Sequence, residues 1–275
     1  MCTAFHAAAD AIVQGHLPRL RTLLRDHPEL IQARSEDNGA TLLHYTAANG
    51  VEQDLQKTPS NIVEIARTLL EAGAEPDALA VMYGVPNTTL NMMVSSTPPA
   101  KAGLQVPLVE LLLDFGAAVD GIGARPLCTA LAFGMLEAAQ VLHRRGAAVD
   151  LPIAAGLGLL EEATRLLPAA NAEARHRALS LAAQHARTAI LELLLDAGED
   201  PNRFNLPGNH AHSTPLHQAA LGGHEAVIRL LVARGARLDF RDTIWKGTPL
   251  GWAIYGGGTN QEAIAHCLRS LGAQE

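Results

Sequence analysis

Aromatic side chains are scarce in this sequence, since Phe, Trp and Tyr make up only 4% of its 275 residues. The interior must therefore consist mainly of Ala and Leu, a composition that suits thin helices packed closely together. Basic residues are too few for a nucleic-acid or anionic-membrane surface, because 21 Lys and Arg stand against 28 Asp and Glu. An apolar fraction of 48% and a net charge of −7 argue against a disordered chain.

The three cysteines, Cys2, Cys128 and Cys267, are odd in number, widely spaced and without a CxxC pair. This pattern argues against a disulfide framework and against a zinc module. The N-terminus lacks the basic and apolar regions of a signal peptide, and no apolar run reaches the roughly 18–20 residues that span a bilayer. We therefore expect a cytoplasmic protein that has no membrane partner.

An apolar stripe that ends in Gly recurs along the chain. Its residues have helical spacing, as in Ile62, Ile65 and Leu69, so each copy predicts an amphipathic helix. The glycine follows the last turn, where a left-handed C-cap is favoured. The copies end at Gly73, Gly116, Gly146, Gly198, Gly235 and Gly272. The chain is therefore expected to repeat one helical unit.

A second element precedes several of the stripes and reads Thr-Pro-Leu-His in its fullest form. Copies begin at Thr41, Thr214 and Thr248. Thr is favoured at a helix N-cap and Pro in the first turn, so the element predicts the start of a short helix. The Ala-rich residues that follow let neighbouring helices approach closely.

At these residues the chain resembles the ankyrin-repeat family. The segment 213–224, STPLHQAALGGH, contains the T-P-L-H-x-A core of that family's pattern. The likeness extends from about residue 4 to 272 in seven or eight units. It implies an all-α solenoid of stacked helix-turn-helix units with short β-turn or hairpin connections, in one domain over 1–275. It also implies structural roles for His44, His217 and His224, with hydrogen bonds from the first two bridging neighbouring turns.

Departures from the repeat mark the places where a specific function could lie. The N-terminal copy, about 4–37, is degenerate as expected for a cap, and the last repeat covers about 247–275. Insertions at about 51–61 and 97–106 are rich in Pro, Gly and polar residues and predict adjacent loops. They form either a lid or specificity loop, or neutral surface loops. The repeat at about 151–172 is shortened.

Motifs for catalysis are missing from the sequence. It lacks a G-x-S-x-G elbow, a Walker A loop, a G-x-G-x-x-G after a strand and an H-E-x-x-H motif. We therefore assign no catalytic residue and no cofactor, although acid–base residues from separate repeats could converge. His210 and His212 form an H-x-H pair in a loop, but a zinc site needs a third ligand and none is nearby, so we expect no metal. Residues 256–258, all Gly, predict a flexible turn.

Binding of a partner protein through the concave face is the function that the repeat architecture favours. Trp245, at a predicted hairpin tip, is the best anchor candidate, because exposed Trp and Tyr dominate binding hot spots. Trp252 and Tyr255 either join this contact or cap the core of the last repeat. The predicted contact residues are Tyr83, Asn87, Phe133, Gln184, His185, His210, His212, Ile244, Trp245 and Tyr255.

Two alternatives stay open. In the first, the chain binds a small-molecule ligand, or is an unusual enzyme, with a pocket formed by the central repeats and the two insertions. That pocket would be lined by His44, Tyr45, Asn91, Met92, Met93 and Cys128. In the second, the array is a structural spacer and needs no particular anchor.

Overall fold

The computed structural model describes residues 2–51, 53–258 and 260–274. The chain separates into two compact units, Met1–Ala148 and Val149–Glu275. Each unit is built from pairs of helices, and one two-stranded sheet occurs within the described residues. The predicted all-α class is confirmed. The assignment of one domain over 1–275 stays a prediction.

The N-terminal unit contains eight α-helices in its described part. They are α1 (Cys2–Val13), α2 (Leu17–Asp26), α3 (Ile62–Glu71), α4 (Thr89–Met93), α5 (Thr97–Lys101), α6 (Gln105–Asp114), α7 (Pro126–Ala132) and α8 (Leu136–Arg144). Its 3-10 turns are Pro28–Ile31, Leu42–Ala47 and Gln53–Leu55, and its strands are β1 (Ala80–Met82) and β2 (Val85–Asn87).

The two strands form an antiparallel hairpin that turns at Tyr83 and Gly84. Both turn residues have left-handed backbone, with φ of +54° and +78°, as the type I′ hairpin turn requires. The register pairs Ala80 with Asn87. Because side chains alternate along a strand, these two face the interior while Val81 is exposed.

The C-terminal unit contains eight further α-helices in its described part. They are α9 (Leu151–Leu157), α10 (Leu160–Leu166), α11 (Ala172–Gln184), α12 (Thr188–Asp196), α13 (Pro215–Leu221), α14 (Glu225–Ala233), α15 (Pro249–Tyr255) and α16 (Gln261–Ser270), with a 3-10 turn at Leu167–Ala169. The helices α9, α11, α13 and α15 pack in one row, which we call the first-helix layer, and the other four form a second row. Ala and Leu side chains fill the core, as the composition predicts.

The predicted glycine C-caps are confirmed. All six glycines that end the apolar stripes have φ between +88° and +101°, a conformation that favours Gly over any residue with a Cβ. At the other end of the repeat, Thr214 and His217 bond reciprocally, with the Thr214 N–H donating to His217 Nδ1 at 3.3 Å. His217 Nε2 donates to the Gly247 carbonyl at 3.1 Å. His44 contacts the Asn87 carbonyl in the same way at 3.4 Å, so both histidines bridge consecutive turns.

The predicted loop at 97–106 is wrong. Thr97–Lys101 forms α5, and Gln105 begins α6. Two prolines follow Thr97 in the first turn of α5, where their missing N–H groups leave no helical hydrogen bond unmade. The shortened repeat at 151–172 keeps both of its helices, α9 and α10.

Two predicted regions include residues outside the described part of the chain. The insertion at 51–61 has a 3-10 turn at Gln53–Leu55, but residue 52 is not described. Residues 259 and 275 of the last repeat are not described either, nor is the side chain of Cys2.

Candidate functional site

The C-terminal unit has an open cavity of about 600 Å³ on its first-helix layer. Its walls come from α13, α15 and the loops that precede these helices, and most of the surface is apolar. We call it the Trp245 cavity. Its lining residues are His210, His212, Gln218, Leu221, Trp245, Gly247, Gly251, Trp252, Tyr255 and Gly256.

Asp242 holds the loop that carries Trp245. Its side chain is only 1% exposed. Oδ1 accepts the N–H groups of Ile244 at 2.9 Å and Trp245 at 2.7 Å. Oδ2 accepts the Gly247 N–H at 2.8 Å and the indole N–H of Trp252 at 3.0 Å. The loop therefore closes around one carboxylate, which fixes the backbone at Trp245 before any ligand arrives.

These hydrogen bonds also determine the charge of Asp242. Burial acts to raise the pKa of this carboxyl group, but the hydrogen bonds from Trp252 and from three backbone N–H groups outweigh burial. The pKa of Asp242 consequently lies below its usual value, and the carboxylate is ionised at neutral pH.

Trp252 is the centre of an aromatic cluster. Its ring centroid lies 5.9 Å from that of Trp245, 5.6 Å from that of His212 and 5.1 Å from that of His217. Trp252 is 8% exposed, whereas Trp245 is 68% and Tyr255 86% exposed. Of the two possibilities left open by the sequence, Trp252 therefore belongs to the core, while the rings of Trp245 and Tyr255 are exposed to solvent.

The two histidines of this cluster are neutral at pH 7. Burial lowers the pKa of His212, and His210 lowers it further against the opposing effect of Asp242. Burial likewise lowers the pKa of His217, although its hydrogen bond to Gly247 partly offsets this effect. Among residues 2–51, 53–258 and 260–274, no group of three His, Cys, Asp or Glu side chains is arranged to hold a metal ion.

Two glycines bring the segment after α15 against the end of α13. A Cβ on Gly256 would lie 2.8 Å from Leu221 Cδ1, and one on Gly258 would lie 2.0 Å from the Leu221 carbonyl oxygen. Neither position has room for a side chain. The segment 256–258, predicted as a flexible turn, is therefore closely packed against Leu221 at both of these glycines.

The structure brings four of the predicted contact residues together, because His210, His212, Trp245 and Tyr255 all line the cavity. Ile244 is exposed beside Trp245 in the same loop. In the N-terminal unit, Tyr83 and Phe133 are also exposed. The Tyr83 hydroxyl donates to Asn49 Oδ1 at 2.7 Å and accepts from the Gly50 N–H at 3.2 Å, which ties this ring to the segment at residues 49–50.

Three predicted contact residues do not lie on the open surface. Asn87 and His185 are buried, and Gln184 is half-buried, so the expected exposure is wrong for the first two. The hairpin register turns Asn87 inwards, where its Oδ1 accepts from Asn91 Nδ2 at 2.5 Å. The Gln184 carbonyl accepts from His224 Nε2 at 2.9 Å, which ties consecutive repeats together.

Five of the six residues of the alternative pocket have core positions. His44, Asn91, Met92 and Met93 are buried, Tyr45 packs edge-on against Phe5 at 6.0 Å, and Cys128 is half-buried. None of these six side chains lines the Trp245 cavity. None lines a second cavity of about 350 Å³, which lies near the start of α6 and α8. His44 and Asn91 form hydrogen bonds within the core. Tyr45, Met92 and Met93 pack there.

Sequence reasoning missed two residues that shape the cavity, Gln218 in its lining and Asp242 in its loop. Gln218 precedes Leu221 by three residues on α13, so helical spacing alone could have placed it on the same face. No sequence pattern pointed to Asp242. Its hydrogen-bond partners are the side chain of Trp252, ten residues away, and the backbone of its own loop.

Stacked helix pairs of this kind define a helical repeat protein. None of the helices in the described residues is long and apolar enough to cross a membrane. The family model for ankyrin repeats matches residues 179–274, in three copies. Residues 179–274 therefore contain ankyrin repeats, which confirms the resemblance noted in the sequence. Such repeats indicate a protein–protein interaction module.

Similar proteins match parts of the chain. Protein PhlB of Serratia liquefaciens is 38% identical over 71 residues, which are 26% of this chain and 30% of that protein. Ankyrin repeat and SAM domain-containing protein 6 of Mus musculus is 32% identical over 109 residues, which are 40% of this chain and 12% of that protein. The chain thus spans less than a third of either relative. The structure of the human ASB11 ankyrin repeat domain has a TM-score of 0.39 at 23% identity, covering 86% of this chain and 100% of that one.

Proposed function

We propose that the C-terminal unit binds another protein through the Trp245 cavity, without catalysis. The observation that carries this proposal is the pairing of two strongly exposed rings, Trp245 and Tyr255, with a cavity between repeats. Exposed large aromatics beside an apolar cavity are typical of binding hot spots. This cavity lies on the first-helix layer, and we infer that this layer is the concave face that the resemblance favours.

The Asp242 hydrogen bonds support the same proposal. They fix the loop backbone at Trp245 in the free protein, so less conformational entropy is lost when a partner binds. The ring of Trp245 also packs edge-on against His212 at 5.0 Å, which limits its rotation. A preorganised anchor of this kind gives affinity from a small contact area.

In the N-terminal unit, Tyr83 and Phe133 remain proposed contact residues because their rings are exposed. The cytoplasmic location expected from the sequence is part of this proposal.

A small-molecule ligand is the second candidate. A volume of about 600 Å³ falls within the range of pockets that hold small ligands. Gln218 and His212 would supply the few polar groups that orient such a ligand.

The test is affinity capture from source cells followed by native mass spectrometry, with the wild-type chain and two variants. W245A removes the anchor, and L160A is the matched control, since Leu160 is an exposed apolar residue of the same unit outside the cavity. We expect a captured protein that is lost with W245A and kept with L160A. A protein kept by both variants would contradict the proposal, and a bound small molecule lost only with W245A would favour the second candidate.

A further inference from the structure

We propose, resting on the binding function above, that the Trp245 cavity takes an acidic segment of the partner protein. An apolar side chain of that segment enters the cavity, and neighbouring Asp or Glu carboxylates pair with Arg241 and Lys246. The argument comes from the distribution of charge around the cavity.

The two chain segments that supply every lining residue are nearly free of acidic residues. Residues 203–224 contain no Asp or Glu, and residues 240–258 contain only Asp242. That carboxylate is buried and receives four hydrogen bonds, so it presents no free oxygen to a ligand. The chain as a whole has a net charge of −7, so this lack of exposed carboxylates is a local feature.

Two exposed cations lie in the same loop as Trp245. The Arg241 guanidinium donates to the Lys246 carbonyl at 2.8 Å, and Lys246 Nζ donates to the Thr243 carbonyl at 2.9 Å. These bonds hold the side chains to the loop without neutralising them, and neither cation forms an ion pair within the described part of the chain. Their charges are therefore available to a ligand.

The neighbouring loop is joined to the loop that carries Trp245. The Thr243 N–H donates to the His212 carbonyl at 2.9 Å. Arg203, in this second loop, is exposed, but its charge acts on Glu199 and His176, so we do not count it with Arg241 and Lys246. The nearest upstream acid, Asp239, is already bound by Arg237 at 3.0 and 3.1 Å, so it does not offset these cations.

An acidic partner fits this surface better than a basic one. A cationic side chain is attracted to the face of Trp245, but here it would meet Arg241 and Lys246 with no exposed carboxylate beside them. Carboxylates would instead gain two charge-assisted contacts at the rim while an apolar side chain fills the cavity.

The test uses the full chain and three synthetic nonapeptides that share a central Leu-Phe pair. One is flanked by Asp and Glu, one by Asn and Gln, and one by Lys and Arg. Calorimetric titration at low salt should give the acidic peptide a Kd about tenfold below that of the amide-flanked peptide, and high salt should reduce this advantage to less than about threefold. R241Q/K246Q should abolish the advantage, so that this variant binds the acidic and the amide-flanked peptides with equal Kd. The control R165Q/R229Q removes two exposed charges from the second row of helices and should keep the advantage.

Three results would overturn the acidic assignment. If all three peptides bound equally and W245A abolished their binding, the cavity would bind peptides without a charge preference. The proposed function would then hold and the acidic assignment would fail. Tighter binding of the basic peptide would mean that the cation–π attraction dominates. If none of the peptides bound, the acidic segment would be excluded, and the capture experiment with W245A would decide the proposed function separately.

Discussion

The indole N–H of Trp252 donates a 3.0 Å hydrogen bond to Asp242, whose other oxygen accepts the backbone N–H of Trp245. One buried carboxylate thus connects a core residue of α15 to the exposed residue that we assign as the anchor. The stability of the last repeat and the geometry of the binding loop depend on the same group.

Asp242→Asn should lower the free energy of unfolding of the C-terminal unit by about 2–3 kcal/mol, because hydrogen bonds to a charged acceptor contribute roughly this much. The Asn amide keeps one acceptor oxygen. Its NH₂ group replaces the other oxygen and faces N–H donors, with which it cannot form hydrogen bonds. Urea unfolding followed by circular dichroism measures the change. Asp239→Asn, which breaks only an exposed pair with Arg237, is the control and should leave the midpoint in place. Equal midpoints for wild type and Asp242→Asn would contradict the role given to Asp242.

The two tryptophans should respond differently to truncation. Trp252→Ala should cost about 3–5 kcal/mol, because it leaves a cavity in the core and removes the indole donor to Asp242. Trp245→Ala should change stability by less than about 0.5 kcal/mol, as most exposed substitutions do. Thermal unfolding of both variants separates the roles. A large loss of stability in Trp245→Ala would mean that this residue is structural.

His44 should make the stability of the N-terminal unit depend on pH. Burial lowers its pKa from 6.5 to about 4. The folded pKa of His44 is below the unfolded value, so between pH 4 and pH 6.5 the unfolded chain binds one more proton than the folded chain. The free energy of unfolding therefore falls as the pH falls from 6.5 towards 4. Urea titrations at several pH values should show a steeper fall for the wild type than for His44→Gln. Parallel curves for the two proteins would contradict this assignment.

Two glycine substitutions in the last repeat should have opposite signs. A Cβ at Gly251, inside α15, would meet only Thr248 Oγ1 at 3.7 Å, so Gly251→Ala should stabilise by about 0.4–1 kcal/mol. A Cβ at Gly258 would overlap the Leu221 carbonyl, so Gly258→Ala should destabilise by about 1–3 kcal/mol. Differential scanning calorimetry tests both. Stabilisation by Gly258→Ala would show that the segment is free of α13.

The repeat architecture could be predicted because its signals are local. A glycine after each apolar stripe and Thr-Pro at a helix start act within a few residues, and φ near +90° at Gly73 and Gly235 follows directly from them. The helix at Thr97–Lys101 was missed because Pro98 and Pro99 suggest a loop, although the first turn of a helix accepts both.

The site could be predicted only in part. Trp245 was found because an aromatic residue at a loop tip is conspicuous in a sequence with few aromatics. Asn87 was misplaced because its direction depends on hairpin register, and a shift of one residue reverses which face a side chain takes. The cavity itself depends on Asp242 reaching Trp252 and on the loop before α15 bonding to His212, contacts that leave no pattern in the sequence.

The most direct measurement is photo-crosslinking in source cells with p-benzoylphenylalanine placed at position 245, compared with the same group at the exposed position 160. We expect position 245 to capture a defined partner protein, through a peptide rich in Asp and Glu, and position 160 to capture none. Identical products from both positions, or no protein product from position 245, would contradict the assignment of Trp245 as the anchor.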